Sequence, residues 1–202
     1  GESNQILKIK KLISKLSSTD SRVLISGPTG SGKELVARKI HKNSNRSKNP
    51  FIVMNGALLQ SDNYENELFG TENKDGSVSY GFLEKASNGT LLIDEVSEIP
   101  LDTQAKILRV LIDQKFKRIN GTKDINVNIR IISSTSKDLK SEVAMGNFRE
   151  DLYHRINVVP IEIPKLSSRP DDIPILINYF QKKISEINGI PEIKLNVDEE
   201  LL

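Results

Sequence analysis

The spacing of apolar positions changes repeatedly along this chain, and each change predicts an element. Ile6, Ile9, Leu12, Ile13 and Leu16 recur at helical intervals with lysines between them, which predicts an amphipathic helix over residues 4–17 with Lys8 to Lys15 on its solvated face. Arg22-Val-Leu-Ile-Ser26 then reads as a short buried strand. Gly27 to Gly32 interrupts the pattern, and Leu35, Val36 and Ile40 restore a helical one from Lys33 to Lys42. Phe51 to Asn55 is a second strand, followed by a looser stretch from Ser61 to Tyr80 that holds an apolar knot at Glu67-Leu-Phe-Gly70. Thr90 to Asp94 forms a third strand, and Leu101 to Gln114 a helix with Ile107, Leu108 and Leu111 inward. Lys117 to Asn128 predicts a hairpin turning at Asn120-Gly121. Ile129 to Ser133 and Val158 to Ile163 complete the strands, and Pro160 assigns the last of them to a sheet edge. Beyond the Arg169-Pro170 break a helix runs from Ile173 to Ile187, and another begins before Leu202. Short strands apolar on both faces, alternating with helices, predict an α/β fold with a parallel sheet covered on both sides.

Length and composition narrow the classes. At 202 residues the chain suits one compact domain with a small appendage. Its 29 basic and 27 acidic side chains leave a net charge of +2, which nominates neither nucleic acid nor an acidic partner. Cysteine is absent, so disulfides, thiolate metal sites and cysteine nucleophiles are excluded together, and a reducing, cytoplasmic setting is expected. The longest apolar runs, such as Leu91-Leu-Ile93, fall far short of the roughly 20 residues that cross a bilayer, so no membrane partner is expected. His41 and His154 stand alone in their helices and are not read as metal ligands.

The break after the first strand carries the chemistry. Gly27-Pro28-Thr29-Gly30-Ser31-Gly32-Lys33 fills the first seven places of G-x-x-x-x-G-K-[ST], between a predicted strand and a predicted helix. Glycines let the backbone curl so that N–H groups point at phosphate oxygens, the helix adds its N-terminal dipole, and the lysine neutralises the terminal phosphates. The eighth place is Glu34, where such loops usually carry the Ser or Thr that binds magnesium, so the metal must lean on other ligands. Thr90-Leu-Leu-Ile-Asp94-Glu95 supplies them: an apolar strand ending in two acids, with Asp94 for Mg2+ and Glu95 to polarise water. Arg149 and Arg155 admit two readings. Asp151 and Arg155 stand at helical i, i+4 spacing, which suits an ordinary ion pair, whereas an arginine can also reach the transition state of phosphoryl transfer.

These stretches together resemble the AAA+ domain of bacterial enhancer-binding proteins, the NtrC-like activators that work with sigma-54 RNA polymerase. The resemblance covers nearly the whole chain. It rests on Gly27 to Glu34, Pro50 to Asn55, Glu67 to Gly70, Gly89 to Glu95, Gln104 to Leu111, Phe148 to Arg155 and Arg169 to Pro174. It implies a P-loop AAA+ ATPase with a five-stranded parallel sheet, an α/β core over residues 1–166 and the start of a helical lid over 167–202. It further implies ATP and Mg2+ as cofactors, bound by the residues from Gly27 to Glu34 with Asp94, Glu95 and Ser136. Arg149 and Arg155 become groups that reach a neighbour's nucleotide, in a homo-oligomeric ring that is commonly a hexamer. Asn55 matches the family's switch asparagine, which holds the catalytic glutamate, here Glu95, away from water; the other reading of Asn55 is a strand-end cap. Ser136 stands where the family's sensor has an amide, which implies weaker sensing of the γ-phosphate.

One segment departs from the family pattern. Where the family carries a Gly-Ala-Phe-Thr-Gly-Ala loop that touches sigma-54, this chain has Thr71-Glu-Asn-Lys-Asp-Gly-Ser-Val-Ser-Tyr80. That departure, with Leu111 to Gln114, the Ser-Ser-Thr-Ser run and His154 to Pro160, looks like the NtrX-type response regulators, and it speaks against contact with RNA polymerase or its sigma factor. The resemblance assigns DNA binding to a C-terminal domain and a sensor histidine kinase to an N-terminal receiver, neither within these residues. The sequence therefore predicts a ring-forming ATPase domain of a two-component transcriptional regulator. The alternative is a nucleotide-sensing oligomerisation module that does not hydrolyse ATP. A small-molecule kinase is disfavoured because no acceptor-binding segment stands out.

Overall fold

The computed structural model describes residues 1–59 and 63–191. Its centre is a five-stranded sheet built from β1 (Val23–Ser26), β2 (Phe51–Asn55), β5 (Thr90–Asp94), β8 (Arg130–Thr135) and β9 (Val159–Glu162), in the order β2-β5-β8-β1-β9. Every pairing is parallel, and Pro160 does lie on an edge strand. Such an arrangement requires crossovers, and the helices provide them on both faces. Alternation along β5 shows how the faces divide. Leu91 and Ile93 enter a core with Met54, Ile107, Leu111 and Leu152, while Leu92 joins Ile13, Ile25, Ile40 and Ile132 on the other side.

That second face is covered by α1 (Asn4–Ser17) and α2 (Lys33–Lys42), as the lysine-rich and loop-following patterns predict. Leu35 is a correction: the periodicity turns it inward, yet it is 72% exposed, because only the Ala37–Ile40 side of this short helix meets the sheet. The first face is covered by α5 (Leu101–Asp113) and α7 (Glu150–Ile156). Short helices α3 (Tyr64–Phe69), α4 (Phe82–Lys85) and α6 (Leu139–Ala144) fill the corners. Tyr64, Leu68 and Phe69 bury the apolar knot seen in the sequence.

Two small hairpins stand beside the sheet. β3 (Gly70–Glu72) pairs with β4 (Val78–Tyr80) in the stretch expected to be loose. β6 (Lys115–Lys117) pairs with β7 (Asp124–Asn126). The second hairpin turns at Asn120-Gly121 as predicted, the Gly121 N–H donating to the Arg118 carbonyl at 3.0 Å and Asn120 taking a left-handed φ of 63°, but residues 118–123 make the connection wider than a two-residue turn. The reason is a competing bond. Ile119 donates to Gly70 at 2.9 Å and accepts from Glu72 at 3.0 Å, so the connection is drawn out to join the two hairpins. Arg118 reinforces that junction by pairing with Glu84 at 2.6 Å.

After β9 the chain enters α8 (Asp172–Asn188), one residue longer at each end than the apolar pattern predicts. The helix expected before Leu202 lies outside the described residues.

Candidate functional site

All parallel strands end on the same side, and the chemistry collects there. β1 stops at Ser26, and Gly30 and Gly32 take φ of 76° and 99°, left-handed values that a side chain resists. Open space surrounds both positions, so the loop curls around a cradle rather than around its own packing. Gly32 is the residue before α2, whose first-turn N–H groups therefore face the cradle. The Ser31 hydroxyl is buried in the loop without a hydrogen-bond partner, a polar atom whose natural complement is an incoming oxygen. Lys33 is buried, and its ammonium donates to the Gly27 carbonyl at 3.1 Å and the Pro28 carbonyl at 3.4 Å. Glu34 points away from the cradle and pairs with Arg38 at 2.6 Å.

The two acids follow β5 beside this loop. Asp94 accepts a hydrogen bond from the buried Ser134 hydroxyl on one oxygen, and the Asn55 amide reaches the other at 3.4 Å. Glu95 adopts φ 51° and ψ 56°, a conformation uncommon for a residue with a side chain and typical of strained functional positions. Gly56 makes room for it, since a Cβ there would sit 2.6 Å from the Glu95 carbonyl oxygen. The Glu95 carboxylate is fully engaged. One oxygen meets the Lys33 ammonium at 3.0 Å, and the other accepts from both the Ser136 N–H and the Ser136 hydroxyl at 2.8 Å each. Burial pushes the Glu95 pKa up, but the Ser136 hydroxyl and N–H and the Lys33 ammonium outweigh it and hold the carboxyl below its ordinary range.

Asn55 departs from what the resemblance implies. Its amide oxygen accepts from the Ala57 N–H at 2.9 Å, capping the turn after β2, and its nitrogen turns to Asp94 rather than Glu95. The cap is what a strand-end asparagine does locally, and Asp94 lies opposite it in the register.

The arginines stand apart from the loop. Arg149 precedes α7 and donates to both oxygens of Asp151, at 3.0 and 2.7 Å. The i, i+4 pair between Asp151 and Arg155 is therefore not formed; Asp151 is taken by the residue before the helix, and Arg155 projects into solvent. Gln104, fully buried, fixes this corner by accepting from the Arg149 N–H at 2.9 Å and donating to the Ile99 and Asn147 carbonyls. Among the described residues, neither arginine forms a hydrogen bond or ion pair with residues 27–34, 94 or 95 of its own chain.

Sequence reasoning missed four contributors. Ser134 and Gly56 hold and admit the acids; Ser134 stands in the hydroxyl run Ser133-Ser-Thr135 that ends a buried strand, and that run is the signal that could have marked it. Arg169 and Asp172 form the other pair. Arg169 donates to the Ser31 carbonyl at 3.5 Å and to Asp172 at 3.2 Å. Asp172, wholly buried, also accepts from the Glu2 N–H at 2.6 Å, the Ser3 N–H at 2.8 Å and the Ser3 hydroxyl at 2.9 Å. Burial alone would raise its pKa; these donors and Arg169 bring it down to about 2. A polar chain thus runs from the glycine loop through the start of α8 to the start of α1.

The chain is similar to known proteins over nearly its whole length. The sigma-54 interaction domain model matches residues 1–162. The nitrogen assimilation regulatory protein NtrX of Azorhizobium caulinodans is 45% identical over 199 residues, covering 98% of this chain and 44% of that protein. The regulatory protein AtoC of Escherichia coli K12 is 46% identical over 187 residues, covering 91% of this chain and 41% of that protein. The crystal structure of NtrX from Brucella abortus in complex with ATP superposes with a TM-score of 0.92 at 46% identity, over 98% of this chain and 46% of that one. The chain spans less than half the length of these relatives.

Proposed function

The chain belongs to the sigma-54 interaction domain family, with the P-loop AAA+ fold, and from that premise we propose that it binds ATP with Mg2+ and hydrolyses it as the central domain of a two-component response regulator. The observation that carries this reading is the 3.0 Å contact between Lys33 and Glu95, which brings the phosphate-binding cation and the water-polarising acid to one point. The similar NtrX from Brucella abortus binds ATP and ADP, which supports adenine nucleotide as the ligand here.

In this reading the N–H groups of Thr29, Gly30 and Gly32 to Glu34 face the phosphates, the Ser31 N–H being held by the Pro28 carbonyl at 3.1 Å, and Lys33 leaves the Gly27 and Pro28 carbonyls for the terminal phosphate oxygens. Asp94, held by Ser134, would keep magnesium, whose charge offsets that of the phosphates; one carboxylate plus phosphate oxygens is an ordinary donor set for this ion. Glu95 then orients a water. The water oxygen bonds to the γ-phosphorus, the bond to the ADP oxygen breaks with its electron pair on ADP, and the water proton passes by way of Glu95 to phosphate and solvent. Arg149 and Arg155 face away from their own loop, which supports their acting on the nucleotide of a neighbouring copy in a ring, commonly of six. Residues 1–166 are the core of this machine, and 167–202 open a helical lid that Arg169 links to the loop. A receiver, a helix-turn-helix, a partner histidine kinase and target DNA belong, in this proposal, to the longer protein.

A second reading is favoured by the hairpin of β3 and β4. Residues 73–77 close it, and Ile119 binds its free side, so the segment stays docked on the domain instead of projecting toward a sigma factor. A regulator that uses nucleotide to set subunit association without remodelling sigma-54 polymerase fits that observation. Phosphate release per subunit, measured against protein concentration, separates the two. The first reading predicts a rise through the assembly range; turnover that stays at the level of Lys33→Ala selects the second.

A further inference from the structure

We propose that the outer face of α1 and α2 is a docking surface for the phosphate backbone of double-stranded DNA, held without regard to base sequence. The near-neutral total charge conceals how unevenly it is divided. Residues 1–48 hold eleven basic and three acidic side chains, a net of +8, while the remainder of the chain, with 18 basic and 24 acidic, carries −6. Several of the eleven are already engaged. Lys33 is buried beside Glu95, Arg38 and Arg46 pair with Glu34 and Asp20, Arg22 donates to the Leu111 carbonyl, and Lys10 donates to the Gly1 carbonyl. Lys8, Lys11, Lys15, Lys39, Lys42 and Lys48 remain, all exposed, and none of them forms an ion pair among the described residues.

The fold gathers these charges on one side. α1 and α2 cover the same face of the sheet, where Ile9, Ile13 and Leu16 of one helix and Ala37 and Ile40 of the other enter a shared core. Lys8, Lys11 and Lys15 follow i, i+3, i+7 spacing, so they form a single stripe away from that buried side. Lys39 and Lys42 do the same on α2, and Lys48 follows in the connection to β2. The α1 stripe spans about 10 Å at the helical rise, a length over which one DNA strand presents about three phosphates. Exposed Ser14, Asn43 and Ser47 stand beside the lysines, and past the end of α1 the side chains of Ser18, Thr19, Asn45 and Asn49 line a cleft. Hydroxyls and amides next to lysines are ordinary donors to phosphate and sugar oxygens.

Composition separates duplex DNA from other partners. The centre of a protein–protein interface is depleted in lysine and rich in aromatic side chains, and single-stranded nucleic acid is held by aromatic stacking; no Phe, Tyr or Trp occurs before Phe51. A helix that lies on a membrane needs a free apolar side, whereas that of α1 is taken up by the sheet. Rotatable ammonium groups meet phosphates without a fixed geometry, which gives affinity without sequence preference.

Fluorescence anisotropy of the folded chain with two unrelated duplexes of about 30 base pairs, in salt from about 50 to 200 mM, tests this. Wild type is expected to bind both alike, with affinity falling steeply as salt rises. Lys8→Gln/Lys11→Gln/Lys15→Gln alters only exposed positions. It is expected to weaken binding at least about tenfold at low salt and to reduce the slope of log affinity against log salt by about 2–3. Lys182→Gln/Lys183→Gln, exposed lysines on α8, is expected to stay within about twofold of wild type. All arms run without nucleotide, so they stand or fall apart from the ATPase reading. No binding by wild type at low salt, an equal loss in the α8 variant, or an equal loss in Lys33→Ala, which would put the phosphates at the glycine loop, overturns the proposal. Displacement of DNA by poly-glutamate at equal charge concentration also overturns it and assigns the face to an acidic protein.

Discussion

The two ends of the central sheet's strands each hold a cation, half-buried Arg46 at one and buried Lys33 at the other, and they treat them in opposite ways. Where the strands begin, Arg46 donates to both oxygens of Asp20, to the Asn128 side chain at 2.7 Å and to its carbonyl at 2.9 Å, and to the Gly89 carbonyl at 3.3 Å. Those acceptors precede β1, β5 and β8, so one guanidinium laces three strand entries together. Where the strands end, Lys33 meets two loop carbonyls and one carboxylate, and each of those contacts can be traded for a phosphate oxygen. The difference teaches how to tell a structural charge from a working one. The first has its donors fixed by the chain itself in a planar fork, whereas the second is a single rotatable ammonium among exchangeable partners, next to a residue in strained conformation.

Substitutions can break this contrast from either side. The largest effect is expected at the working end: Glu95→Gln should keep ATP affinity within about threefold while phosphate release falls about a hundredfold, because the amide cannot take up a proton. Equal losses in binding and turnover would remove the distinction between holding the phosphate and activating water. At the structural end, Arg46→Ala should cost about 2 kcal/mol, lowering the melting temperature by several degrees, since Asp20 loses its cation and the Asn128 and Gly89 carbonyls lose donors. ATP affinity should not change, and a calorimetric titration of this variant checks that.

The smallest effect concerns the link between α8 and the chain start. Asp172 has its pKa lowered to about 2, so its contribution is present above the ordinary carboxylate range and is lost as pH falls through about 2. Allowing for screening, that contribution is on the order of 1–2 kcal/mol. Urea denaturation of wild type and Asp172→Asn at pH 7 and pH 3 should show the gap between them narrow in acid. A gap independent of pH would mean that Asp172 acts through shape alone.

Much of the fold was legible because its signals are local. Val23 to Ile25 and Leu91 to Ile93 are apolar on both faces, as buried parallel strands require, and the glycines of the loop mark where such a strand yields to a helix. What stayed hidden depends on partners distant in sequence. Val78 to Tyr80 is exposed at every position, so β4 leaves no alternation to read; pairing with β3 alone defines it. Asn120-Gly121 is a sound turn signal and the chain does turn there, but the width of the connection is set by the bonds of Ile119 to Gly70 and Glu72, which no local pattern announces. Asp151 could be matched to Arg155 by helical spacing, yet Arg149 lies just outside the helix, where spacing rules do not reach. At the site, Lys33, Asp94 and Glu95 stood out by motif. The hands that hold them, Ser134, Ser136 and Asn55, are short polar side chains at strand ends, and whether each caps a turn or grips a carboxylate is set by register across β2, β5 and β8.

Calorimetric titration of the folded chain with ATP and magnesium, beside Lys33→Ala, tests the central claim most directly. The account predicts saturable binding to one site per chain and at least about a hundredfold weaker binding in the variant, the loss of a charge at the terminal phosphates. No heat of binding from folded wild type, or the same affinity in both proteins, would contradict it.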